Sequence, residues 1–76
     1  MKDEIIKIIK EISDTDEDIE NIDLLENEIL DSLAFIELIS ELEDRYDIEI
    51  YPTQVDSNVW RSVEKIAEMV EEKVRK

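Results

Sequence analysis

The chain predicts an all-α fold: a small four-helix bundle of three main helices and one short one, with a long first loop. Apolar residues recur at helical spacing in three separate segments, and the chain has no glycine and a single proline to interrupt them. At 76 residues it reads as a single domain, 1–76. That is near the smallest size at which a hydrophobic core holds together without disulfides or metals.

The first helix is expected from about Asp3 to Ile12, where Ile5, Ile8, Ile9 and Ile12 form one stripe and Ile6 widens it. Ser13-Asp14-Thr15-Asp16-Glu17-Asp18 breaks the periodicity and opens a connection that runs to Leu30. So long a connection in a small domain has to pack down, and Ile19, Ile22, Leu24, Leu25, Ile29 and Leu30 supply the anchors. It reads as an ordered loop with one helical turn. Asp14, Asp16 and Asp18 begin like a twelve-residue calcium loop. However, Ile19 stands where that loop needs glycine, and Leu25 where it needs a bidentate glutamate, so a solvated acidic turn is expected.

The second helix starts at Asp31, an N-cap residue whose carboxylate can accept from free N–H groups of the first turn. Ser32 then falls at the first helical position, beside unpaired donors and the positive end of the helix dipole, where an attached phosphate is stabilised. Phe35, Leu38, Ile39, Leu42 and Tyr46 share the core face. Leu33 and Ile36 are left over on the opposite side among Glu37, Ser40 and Asp44, a small apolar patch ringed by carboxylates. Glu37, Glu41, Glu43 and Asp44 are assigned to steering a partner, since rim charges act on association rate more than on affinity.

An extended connection through Tyr46–Pro52 buries Ile48 and Ile50, and a short helix capped by Asp56 turns Val55, Val59 and Trp60 inward. Trp60 reads as a core anchor. Ser62 caps the last helix, with Val63, Ile66, Ala67, Val70 and Val74 as its stripe and Lys73, Arg75 and Lys76 opposing its negative end.

Composition narrows the function. The formal charge of −14 excludes nucleic acid as a partner and favours basic protein surfaces. With no cysteine and no histidine, the chain lacks thiolate ligands, disulfides and a neutral-pH acid–base group, which sets most enzyme chemistries aside. No apolar run reaches spanning length and the first residues are charged, so neither membrane insertion nor a signal peptide is expected and the reading is cytoplasmic. The expected state is a monomer.

Leu30-Asp31-Ser32-Leu33, followed by Ile36-Glu37-Leu38 and Glu41-Leu42-Glu43, resembles the phosphopantetheine attachment region of acyl and peptidyl carrier proteins, and the likeness extends over nearly the whole chain. That family has the same architecture: a long first loop, the serine at the start of the second helix, and a short third helix. The resemblance implies that Ser32, with Asp31 as the cap beside it, receives 4′-phosphopantetheine covalently from coenzyme A. A separate phosphopantetheinyl transferase, which holds the magnesium, would deliver it. The helix that follows would dock on partner enzymes through Leu33 and Ile36. The carrier itself catalyses nothing and holds an acyl or aminoacyl group as a thioester.

Tyr46-Asp47-Ile48 and the segment from Pro52 through Trp60 to Ser62 look most like the D-alanyl carrier proteins, which serve D-alanylation of teichoic acids. A D-alanine ligase would then load the cargo and a membrane-associated acyltransferase would take it onward. Three positions depart from that pattern: Glu28 stands where glycine is frequent, Leu33 where phenylalanine is common, and Pro52 is displaced by one residue. Two other readings stay open at this point, a carrier for fatty acid, polyketide or nonribosomal peptide synthesis, loaded by another acyl or aminoacyl enzyme, and an acidic adaptor without covalent chemistry.

Overall fold

The isoleucine stripe of the first segment forms α1 over Lys2–Ser13, as spacing dictates, with acidic Asp3 and Glu4 in its first turn and Lys10 in its last. In this computed structural model, which describes residues 1–75, α2 spans Ser32–Tyr46 and α3 spans Val63–Arg75. Lys76, expected to oppose the end of α3, lies outside the described residues. Two short 3₁₀ helices, Pro52–Gln54 and Ser57–Arg61, bridge α2 and α3. The second is the expected short helix, with Asp56 capping it by accepting from the Asn58 N–H at 2.9 Å. The first was not expected. It is a single turn in which the Gln54 N–H donates to the Tyr51 carbonyl at 2.8 Å, with Pro52 at a position that needs no donor.

α1 packs against both α2 and α3, while α3 carries the second 3₁₀ helix along its side. Ile5 and Ile9 from α1, Leu38 and Leu42 from α2, and Val63, Ile66 and Val70 from α3 meet in a core closed to solvent. Each large side chain buried there is worth roughly 1.5–3 kcal/mol. The long loop is ordered, as expected, because it contributes Ile19, Leu24, Ile29 and Leu30 to that same core. Its helical turn is present as a run of hydrogen-bonded turns. The Asn27 N–H reaches the Asp23 carbonyl at 3.0 Å, and the Leu24 carbonyl accepts from Ile29 at 2.9 Å and Leu30 at 3.1 Å.

Two apolar positions differ from expectation. Val74 is 45% exposed because the last turn of α3 runs past the core. Ala34 is buried on the flank of α2, in contact with the depression formed by Ile12, Ser13 and Ile29. Without glycine, the chain places Asp14 (φ 54°), Glu28 (φ 59°) and Asp47 (φ 53°) in the left-handed region. Asp14 and Asp47 end α1 and α2 there, their N–H groups donating back to Lys10 and Glu43.

Candidate functional site

The head of α2 is built by Asp31, whose extended backbone (φ −81°, ψ −178°) turns its carboxylate over the first turn. Its Oδ1 accepts from the Ala34 N–H at 2.8 Å and its carbonyl accepts from the Phe35 N–H at 2.8 Å. The donors of Ser32 and Leu33 have no carbonyl four residues back within the helix. The first turns of α1 and α3 contain acids, Asp3 and Glu4 in one and Glu64 in the other, whereas that of α2 contains none. Its positive end is therefore uncompensated beyond the cap, an environment that favours an external anion. Ser32 occupies this end with its side chain exposed.

Ser32 also stands on the rim of a hollow of about 240 Å³, which it lines together with Leu25, Leu30, Asp31, Phe35, Ser57 and Trp60. The rings of Phe35 and Trp60 meet edge to face, centroids 4.9 Å apart at 89°. Trp60 is buried, as a core anchor should be, yet one part of it faces this hollow. The loop wall is tied to the second 3₁₀ helix twice. Arg61 Nη1 donates to Asp23 Oδ2 at 2.8 Å, and the Leu24 N–H donates to the Arg61 carbonyl at 2.8 Å. Asp23 Oδ1 also accepts from the N–H groups of Leu25 and Glu26. The Glu26 bond, followed by the Arg61 guanidinium, holds the Asp23 carboxyl below the usual aspartate range. Sequence reading missed this tie, since nothing in either segment's periodicity marks Asp23 and Arg61 as partners.

Along the outer face of α2, Leu33 and Ile36 are 68% and 63% exposed, two large apolar side chains in water beside Ser32. The four acids assigned to the same surface do not behave alike. Glu37 and Glu41 line a polar groove of about 460 Å³ between α1 and α2, where Glu41 pairs with Arg45 at 3.3 Å. Asp44 is exposed. Glu43 is half-buried, its Oε2 accepting from the Ile50 N–H at 3.0 Å, so it fastens the chain after α2 back onto the helix. Glu43 and Asp44 also lie about three turns from Ser32, roughly 16–18 Å along the axis.

A family model for the phosphopantetheine attachment site matches residues 3–70. The D-alanyl carrier protein of Lactococcus lactis subsp. cremoris strain MG1363 is 47% identical over 75 residues, covering 96% of this chain and 95% of that protein. The D-alanyl carrier protein of Streptococcus sanguinis strain SK36 is 38% identical over 73 residues, covering 95% and 92%. That of Listeria monocytogenes serotype 4a strain HCC23 is 33% identical over 72 residues, covering 92% of each.

Proposed function

Since the chain belongs to the phosphopantetheine attachment family, a carrier that holds its cargo on 4′-phosphopantetheine, we propose that Ser32 is the attachment residue and D-alanine the cargo. The observation that carries the first assignment is an exposed hydroxyl at the head of a helix whose first turn has no acid of its own. A phosphodiester there gains the free donors of the first turn and the dipole, while Asp31 is drawn toward the Ala34 N–H. The second assignment is supported by the D-alanyl carrier proteins among its relatives, which match this chain nearly end to end.

In the transfer, Ser32 Oγ attacks the phosphorus of coenzyme A nearest the pantetheine. The new P–O bond forms as the pyrophosphate link breaks, and 3′,5′-adenosine diphosphate leaves. The hydroxyl proton goes to a base supplied by the phosphopantetheinyl transferase. The group supplies a thiol that holds an aminoacyl or acyl unit as a thioester. The chain's own residues present that site and catalyse no step themselves. Leu33 and Ile36 give partner enzymes apolar contact, and Glu37, Glu41 and Asp44 orient them.

A carrier requires enzymes that modify and load it. Here they are a phosphopantetheinyl transferase, a D-alanine ligase, and an acyltransferase downstream. No helix among the described residues is long and apolar enough to cross a membrane. We place the carrier as a single domain acting in the cytoplasm, with any membrane association left to the acyltransferase.

Intact mass after incubation with coenzyme A, magnesium and a promiscuous transferase tests the attachment. One added phosphopantetheine on the wild type and none on Ser32→Ala is expected, and an unmodified wild type overturns it. ATP-dependent loading of the modified protein by a D-alanine ligase, set against malonyl transfer, tests the cargo. Loading with malonyl alone overturns the D-alanine assignment.

A further inference from the structure

The hollow beside Ser32 is walled by three chain segments: Leu25 and Leu30 of the loop, Asp31 and Phe35 at the head of α2, and Ser57 and Trp60 of the second 3₁₀ helix. They are fixed against one another by the Phe35–Trp60 ring contact, the Asp23–Arg61 ion pair and the Leu24–Arg61 backbone bond. The hollow is therefore part of the folded state. Its lining is mainly apolar, and the polar residues in it are Ser32, Ser57 and Asp31, one carboxylate oxygen of which already accepts from Ala34.

Size decides what it can hold. At about 240 Å³ it is smaller than the roughly 300–1,000 Å³ of a pocket that encloses a drug-sized ligand. That volume matches a fragment of the prosthetic group better than the whole arm with its cargo. A group tethered to the Ser32 oxygen enters from the rim, phosphodiester first. The carbons next to the phosphodiester carry the gem-dimethyl pair, the most apolar part of the arm, whereas the two amides and the thiol lie farther out. Tethering raises the effective concentration to the millimolar range, so a contact with a dissociation constant of about a millimolar is already half occupied.

Resting on the reading that Ser32 bears the arm, we propose that the pantoyl end of the arm seats in this hollow. Its gem-dimethyl group packs against Phe35 and Trp60, the Ser57 hydroxyl hydrogen-bonds the pantoyl hydroxyl or the first amide, and the thiol end stays free in water. The arm then pivots from the mouth of the hollow, and its cargo remains accessible to whichever enzyme docks on Leu33 and Ile36.

The test is an isotope-filtered NMR experiment on protein modified with ¹³C-labelled coenzyme A, with intact mass confirming one arm per chain. Cross-peaks from the gem-dimethyl group to the ring protons of Phe35 and Trp60, with none from the cysteamine carbons, are expected. Ser57→Ala, at an exposed position outside the attachment chemistry, lowers seat occupancy about fivefold, the effect of one hydrogen bond. A modified protein whose gem-dimethyl signals match those of free coenzyme A and show no cross-peaks overturns the seat and leaves the attachment intact. Cross-peaks from the cysteamine end instead overturn it as well. A wild-type mass without the arm overturns the attachment reading, and the seat with it.

Discussion

Glu28 sits at φ 59° with a Cβ that the left-handed region penalises and without the short polar side chain that lets aspartate and asparagine settle there. Glu28→Gly is expected to stabilise the fold by about 0.5–1 kcal/mol, a rise of roughly 2–8 °C in melting temperature for a domain of this size. Glu28→Gln keeps the backbone penalty and removes the charge, so a thermal melt of both variants separates strain from repulsion. Equal gains in the two would show the backbone to be irrelevant. A second residue links ends of the chain: the Tyr46 hydroxyl donates to Glu4 Oε2 at 2.9 Å, joining α2 to α1. Burial, and then the Glu4 bond, push the Tyr46 phenol up to about 12. A folded-state value above the unfolded one near 10 means that this contribution is complete below about pH 10 and is lost as pH rises toward 12. Tyr46→Phe should cost about 1 kcal/mol at neutral pH and flatten the loss of stability between pH 10 and 12, followed by urea titration at each pH.

At the level of elements, α2 buries one face in the core and leaves Leu33 and Ile36 in water on the other, and substitutions should separate the two. Leu33→Gln with Ile36→Gln alters side chains already exposed in the folded protein. Stability should therefore stay within about 0.5 kcal/mol, while kcat/KM for phosphopantetheinyl transfer falls about tenfold or more with the lost apolar contact. Glu43→Ala should do the opposite. It removes the acceptor of the half-buried Ile50 N–H and costs about 1–3 kcal/mol in denaturant unfolding, with transfer by the intact fraction little changed. The helices, the Asp31 cap, the ordered loop and the exposure of Leu33 and Ile36 were all legible in the sequence, because periodicity and capping chemistry are local. Periodicity assigns a face to each residue but does not name what lies across from it. For that reason Glu43 looked like one more surface acid, and Asp23 and Arg61, 38 residues apart, gave no sign of being partners. Val74 fits the stripe of α3 perfectly well, and only the length of the neighbouring elements decides that the core stops at Val70. Ala34 was missed for a different reason, since so small a side chain adds little to any apolar pattern.

For the molecule as a whole, charge is distributed as unevenly as it is abundant. Sixteen of the 23 acidic residues lie between Asp14 and Trp60, and Arg45 is the lone basic residue in that span. α1 and α3, which pack against each other, flank that span and hold six of the eight remaining basic residues against seven acids. The negative field is therefore generated almost entirely by the loop, α2 and the segment after it, the part of the fold that carries Ser32. The molecule measures 32 × 22 × 20 Å, and the Debye length is about 30 Å at 0.01 M salt and about 10 Å at 0.1 M. In dilute buffer each of these carboxylates repels the others across the whole body, while at moderate salt it senses only its neighbours. Raising sodium chloride from about 0.01 to 0.3 M should thus raise the melting temperature as repulsion is screened. It should also slow association with basic partner enzymes, because the same field steers the encounter. The two responses have opposite signs and one cause. Melting curves and stopped-flow association rates measured over one salt series check them together, with an uncharged osmolyte series as the control for solvent exclusion, which stabilises the fold without screening anything. A melting temperature that does not respond to salt, or an association rate that climbs with it, would show that the crowding of acids around the Ser32 end has no energetic consequence.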